Sequence, residues 1–183
     1  MTSSATSEAE HRVAVVTGAG HGIGRASVGR FLADGYRVVA VDRDLDGAQE
    51  TVSSAAGSAI AVRADIRSEA DIAAYVDAGL HAFGRIDVHH LNAGIISSLA
   101  PLTAVPLREF DDVMAVNVRG TFMGMQHAIR QLESQGSGGA VVITSSIHGA
   151  RAATDAVAYQ ISKSALNGSV QAAAMYGAPS ASG

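Results

Sequence analysis

The chain has 183 residues, 48% of them apolar, a net charge of −4 and no cysteine. That is enough for one folded domain with a substantial core, and it excludes disulfides and thiolate metal sites. The acidic balance, with no basic stripe, argues against a nucleic-acid partner. No apolar run approaches the ~18 residues that span a bilayer, so no membrane partner is expected.

Residues 1–11, MTSSATSEAEH, have neither the basic start nor the apolar centre of a secretory signal, and they read as a disordered tail. The lack of cysteine fits a reducing compartment, and the expected location is cytoplasmic. Strands are predicted at VAVV (13–16), VVAV (38–41), AIAV (59–62), IDV (86–88) continuing to Leu91, and AVVI (140–143). Helices are predicted at about 22–34, 45–56, 68–83, 105–134 and 156–176. The strands are short, β-branched and mostly unalternated, the pattern of parallel strands buried on both faces. Strand–helix alternation implies right-handed crossovers and an open α/β sheet. SQGSGG (134–139) connects a helix to the fifth strand, and no internal boundary or repeat is visible. Residues 177–183 read as a second disordered tail, which leaves 12–176 as one domain.

TGAGHGIG (17–24) follows the first strand and opens a helix. Glycines there let the backbone approach a pyrophosphate, and a helix N-terminus adds amide donors and a favourable dipole. Gly18, Gly22, Ile23 and Gly24 are the candidate residues. The pattern is not the strict G-x-G-x-x-G, so its context carries the reading. Asp42 ends the second strand 18 residues after Gly24, close to the spacing at which an acidic residue meets the adenosine ribose. A carboxylate there accepts from both ribose hydroxyls and repels a 2′-phosphate, which favours NAD over NADP. Arg43 and His21 lie nearby and soften that preference. The bland reading is a glycine-rich turn and an ordinary strand-end aspartate.

YQISK (159–163) places Tyr159 and Lys163 on one helical face. A lysine cation near a phenol favours the phenolate, which suits Tyr159 to acid/base work. Alone, Y-x-x-x-K reads as an exposed tyrosine and a solvated lysine. Here the fifth strand runs into TSS (144–146), which sets Ser146 at a carboxyl strand end where ligands bind in open α/β sheets. NAG (92–94) ends the fourth strand, where a small backbone can lie against a cofactor, and Asn117 is polar within an apolar helical pattern.

TGAGHGIG, Asp42, Asp65-Ile66, Asn92-Ala93-Gly94, Asn117, Ser146 and Tyr159-x-x-x-Lys163 stand in the order of the short-chain dehydrogenases/reductases, which the chain resembles over about residues 12–176. The resemblance implies a Rossmann-like doubly wound parallel sheet of order 3-2-1-4-5 with helices on both faces. It implies hydride transfer between a nicotinamide cofactor and a small-molecule alcohol or ketone. In that scheme Tyr159 exchanges the substrate hydroxyl proton. Lys163 assists it and binds the nicotinamide ribose, Ser146 steadies the substrate oxygen, and Asn117 holds a water linking Lys163 to solvent. Asp65 and Ile66 meet the adenine, and Asn92, Ala93 and Gly94 line the cleft. A homodimer or homotetramer is implied through the helices near 105–134 and 156–176.

The sequence departs from the family in places. Leu91 replaces a frequent asparagine, and His89-His90 fall in a central strand. Buried imidazoles need partners, and adjacent strand residues point to opposite faces, so the pair cannot chelate one metal. No metal site is expected. His148 either faces the substrate or lies on the surface. Family members continue past the Tyr-Lys helix with further strands and a substrate-covering segment. Here the helix runs into APSASG, so the expected domain lacks its last strands and the fifth strand becomes an edge. An alternative reading is therefore a truncated NAD-binding domain without full catalytic function.

Overall fold

The computed structural model describes residues 12–152 and 154–177. Five strands, Val13–Thr17 (β1), Arg37–Asp42 (β2), Ala59–Arg63 (β3), Val88–Leu91 (β4) and Ala140–Ile143 (β5), form one sheet in the order β3-β2-β1-β4-β5. Every pairing is parallel, with Val15 of β1 opposite Val39 of β2 and His89 of β4. The α-helices are Gly22–Ala33 (α1), Leu45–Val52 (α2), Glu69–Phe83 (α3), Leu107–Val113 (α4), Thr121–Gln135 (α5) and Val157–Gly177 (α6).

All five residues of β1 are buried, which requires cover on both faces. On one face Val13, Val15, Val39 and Val41 pack with Ile72, Tyr75 and Val76 of α3 and Met123 of α5. On the other, Val16, Val38 and Ala40 pack with Val28 of α1, flanked by Phe31 and Val52. Period-two side-chain alternation thus feeds two cores from one strand. Each fully buried valine contributes roughly 1.5–3 kcal/mol. Asp87, before β4, anchors the base of the sheet: its Oδ2 accepts from Val13 N at 2.8 Å. Arg85 holds the same carboxylate in a forked contact.

Local chemistry explains the helix ends. The Ser68 hydroxyl accepts from Asp71 N at 3.2 Å to start α3, and Gly84, with φ +78°, ends it in the left-handed conformation. Strand boundaries fall within a residue or two of expectation. Three helical expectations are corrected. α2 ends at Val52, where Ser53 N turns back to Glu50 O. The stretch expected as one helix over 105–134 is α4, then π-helix at Met114–Gly120, then α5. Gly177, assigned to the C-terminal tail, is the last residue of α6. Tail residues 1–11 and 178–183 lie outside the described residues.

The two histidines of β4 point to opposite faces, as the pleat requires. His89 is fully buried and its Nε2 meets Gln131 Oε1 at 2.9 Å; His90 Nε2 meets Thr144 Oγ1 at 2.9 Å. Among the described residues His89 Nδ1 has no hydrogen-bond partner. β5 forms one edge of the sheet, and beside it α5 and α6 flank an open apolar groove that includes Ile129, Val141 and Val170. Among the described residues no helix is long and apolar enough to cross a membrane.

Candidate active site

A cleft of about 630 Å³ opens at the carboxyl ends of the strands, where β1 and its neighbours diverge to opposite faces. Gly18, Gly22, Ile23, Asp42, Asp65, Ile66, Asn92, Ala93, Gly94, Tyr159 and Lys163 all line it. Gly24, Asn117 and Ser146 do not; Gly24 and Asn117 stand behind the lining and shape it.

The glycine loop is tied down on both sides. Ala19 N donates to Val41 O at 3.0 Å, and Gly20 N donates to Asp42 Oδ2 at 2.8 Å. Arg25 of α1 grips Gly20 O through Nε and Nη2 at 2.9 and 2.6 Å, with Nη2 also 2.8 Å from Glu50. Gly18 and Gly22 take positive φ, +68° and +52°. Gly24 is required by space: a Cβ there would stand 1.9 Å from Gly18 O. His21, the N-cap of α1, makes no side-chain capping bond, and the first turn carries no acidic residue. The leading amides of α1 are therefore left for an anion. A dinucleotide pyrophosphate fits this donor set, and the Asp42 carboxylate beyond it suits ribose hydroxyls.

Asn92 joins three strands at the cleft floor. Its amide donates to Thr17 O at 3.0 Å and its oxygen accepts from Thr144 Oγ1 at 3.0 Å. Thr17 Oγ1 accepts from Asn92 N and Ala93 N. Thr144 Oγ1 gives its single proton to Asn92, so it accepts from His90, whose Nε2 carries hydrogen. The Thr144 carbonyl accepts from Lys163 Nζ at 2.8 Å. That bond carries α6 to the mouth of the cleft. Lys163 is buried, which lowers its pKa, and Nζ lies 5.6 Å from the Tyr159 ring centroid. The structural roles of Thr17 and Thr144 were not legible beforehand; their only signal is a hydroxyl at the end of a strand.

Asn117 lies in the π-helical segment and is fully buried. Its Oδ1 accepts from Ile95 N at 2.8 Å, and Nδ2 donates to Ile95 O at 2.8 Å and to Ser162 Oγ at 2.9 Å. Three hydrogen bonds thus tie the side chain to protein groups and pin the loop after β4 to α6. Gly94 passes between: a Cβ there would stand 3.2 Å from Asn117 Oδ1 and 3.5 Å from Lys163 Nζ. π-Helical turns often mark functional sites. Ser146 caps the 3-10 turn Ile147–Gly149, its Oγ accepting from His148 N at 3.2 Å. His148 is half-buried and packs edge-on to Tyr159, ring centroids 5.9 Å apart at 84°. At the far end, Asp65 is paired with Arg67, which holds its carboxyl below the usual range.

A parallel doubly wound sheet with a glycine-lined cleft at its carboxyl edge defines a dinucleotide-binding class of domain. The family model described as short chain dehydrogenase matches residues 12–181, and the chain belongs to that family. It is 35% identical to levodione reductase of Leifsonia aquatica over 172 residues, 91% of this chain and 64% of that protein. It is 43% identical to 2-(R)-hydroxypropyl-CoM dehydrogenase of Xanthobacter autotrophicus over 140 residues, 73% of this chain and 56% of that protein. The fold matches the 3-ketoacyl-(acyl-carrier-protein) reductase of Brucella melitensis complexed with NADH, with a TM-score of 0.87 and 34% identity. That match covers 91% of this chain and 70% of that one. The chain thus spans less than two thirds of the length of the two curated relatives.

Proposed function

We propose that this chain is the dinucleotide-binding and catalytic part of an NAD-dependent oxidoreductase that interconverts a small alcohol and its ketone or aldehyde. The observation that carries this reading is that Tyr159 and Lys163 line the same cleft as the glycine loop and Asp42. When bound, the nicotinamide supplies the hydride acceptor or donor. Gly18, Gly22, Ile23 and the leading amides of α1 bind the pyrophosphate. Asp42 accepts from the adenosine ribose hydroxyls, which supports NAD over NADP. Ile66 supplies apolar cover at the adenine end, while Asn92, Ala93 and Gly94 form the cleft floor.

In the oxidising direction Tyr159, as phenolate, takes the proton of the substrate hydroxyl while a hydride leaves the adjoining carbon. In reduction the phenol returns the proton to the carbonyl oxygen. The Lys163 ammonium stabilises negative charge on the phenol oxygen and is held by the Thr144 carbonyl. Ser146 donates to the substrate oxygen, steadying the charge that develops there. Asn117 positions this machinery through Ile95 and Ser162.

A cytoplasmic homodimer or homotetramer is the assembly we favour. Exposed apolar side chains on α5 and α6, among them Phe122, Ile161 and Val170, support pairing through those helices. A non-catalytic binding module is not favoured, because the family's acid/base residues are retained beside the cleft.

The test combines NADH titration with an alcohol and ketone panel. Tyr159→Phe is expected to lose at least about a hundredfold in kcat while keeping NADH affinity. Unchanged turnover in that variant would remove Tyr159 from the chemistry. Absence of NADH binding by the parent chain would remove the dinucleotide reading altogether.

A further inference from the structure

Tyr159 stands in the first turn of α6. The leading amides of a helix have no carbonyl of their own helix to meet, and Tyr159 N donates outward, to Ser97 Oγ at 3.4 Å. A phenol rooted in such a turn keeps one place only if a neighbouring element supports its ring. The turn after β5 does so. Gly149 O accepts from Asn167 Nδ2 at 2.8 Å and from Ser164 Oγ at 3.4 Å, and Ser145 Oγ donates to Lys163 O at 3.2 Å. A Cβ on Gly149 would stand 2.8 Å from Lys163 O, so turn and helix pass backbone to backbone. His148 is thereby fixed relative to the helix that carries Tyr159. Its ring meets the Tyr159 ring edge-on, with centroids 5.9 Å apart at 84°. Its Nδ1 is buried and, among the described residues, has no hydrogen-bond partner. The imidazole therefore meets the phenol as an aromatic surface, not through a polar bond. Lys163 Nζ stands 5.6 Å from the same phenol centroid, so a cation and an imidazole both adjoin one ring. The backbone of His148 serves the same end: its N–H donates to Ser146 Oγ at 3.2 Å, which leaves the Ser146 proton for another acceptor.

Resting on the proposed function above, we infer that His148 is a positioning residue, whose ring holds the Tyr159 phenol in the orientation that proton transfer needs. The imidazole takes no proton in the reaction and does not bind the substrate. An edge-to-face pair is directional as well as cohesive, so it fixes a ring angle that apolar burial alone leaves loose. Misplacing a reacting group slows the chemical step steeply, so the loss belongs in kcat and not in KM. Any aromatic ring of similar size should serve, and a polar side chain without a ring should not.

The test compares His148→Ala with His148→Phe, using NAD and the secondary alcohol of the panel that the parent chain oxidises fastest. His148→Ala is expected to lose about tenfold in kcat, with KM and NADH affinity within about twofold of the parent. His148→Phe is expected to recover kcat to within about threefold of the parent. If His148→Ala folds poorly, His148→Asn, which keeps a polar atom and loses the ring, takes its place with the same expectation. A ringless variant with the parent's kcat overturns the inference. So does His148→Phe as slow as the ringless variant, because a ring nitrogen would then be at work, and so does a loss confined to KM, because His148 would then bind substrate. A second measurement needs no turnover. The chain has four tyrosines, and the NMR signals of the Tyr159 ring are identified by their absence in Tyr159→Phe. They should move toward the free-tyrosine position in the ringless variant and stay displaced in His148→Phe. Signals indifferent to residue 148 overturn the ring contact itself. A parent chain that shows the contact but oxidises no alcohol loses the proposed function, and with it the catalytic meaning of the contact.

Discussion

At the scale of single residues, two glycines of one helix make opposite demands. A Cβ on Gly24 would stand 1.9 Å from Gly18 O and 2.9 Å from Asn92 Nδ2, so the loop, β4 or both must move. Gly24→Ala is expected to cost about 2–3 kcal/mol and to weaken NADH binding at least tenfold. A Cβ on Gly29, which is exposed on the outer side of α1, meets nothing within 4 Å. Gly29→Ala should therefore stabilise by about 0.5–1 kcal/mol through helix propensity, with binding unchanged. Urea denaturation and NADH titration of both variants separate the two effects. Equal behaviour of the pair would mean that the close approach at Gly24 is not required.

Among the elements, the π-helical turn at Met114–Gly120 does the most positioning. It carries Asn117, whose amide bridges the loop after β4 and helix α6. Removing that amide strands the Ile95 N–H and carbonyl and takes a partner from the Ser162 hydroxyl. Ile95 lines the cleft, and Ser162 Oγ in turn donates to Tyr159 O at 2.7 Å. Asn117→Ala is expected to lose about 2–4 kcal/mol of stability. NADH affinity should fall with it, because the loop and α6 lose their common anchor. Denaturant midpoints and NADH dissociation constants report both. A variant as stable as the parent would show that the buried amide is dispensable.

For the whole molecule, acid lability follows from burying an imidazole in the centre of the sheet. His89 is fully buried, and desolvation lowers its pKa to about 4, opposed in part by its bond to Gln131. Burial also lowers the pKa of His90. The unfolded chain takes up these protons near pH 6.5, whereas folded His89 resists until about pH 4. This contribution is complete above pH 6.5 and is lost as pH falls toward 4. His89 alone accounts for about 3 kcal/mol. Unfolding measured between pH 7.5 and 4.5 should show that slope, and His89→Leu should flatten it, leaving the smaller share of His90. Asp65 acts in a lower window, because its pKa is depressed and its contribution is lost only as pH falls through the carboxylate range. An unchanged slope in His89→Leu would assign the lability elsewhere.

Much of this molecule is written in contiguous residues. The β-branched runs, the glycine loop after β1, Asp42 at the end of β2 and the Tyr159–Lys163 spacing are local patterns. They are legible because strand burial, loop conformation and helical periodicity are set within a few residues. What the tertiary structure decided involves groups far apart in sequence. Asn117 meets residues 22 and 45 positions away, and the break in the long helix accompanies those contacts. Lys163 settles on a carbonyl 19 residues back, and His90 reaches Thr144 across neighbouring strands. Arg67 shows the limit from the other side. It lies only two residues from Asp65, yet its place in the cleft depends on where β3 ends and on Arg119, 52 residues on. A sequence states which side chains are available and their local periodicity. Only packing decides which of them satisfy one another and which are left to face a ligand.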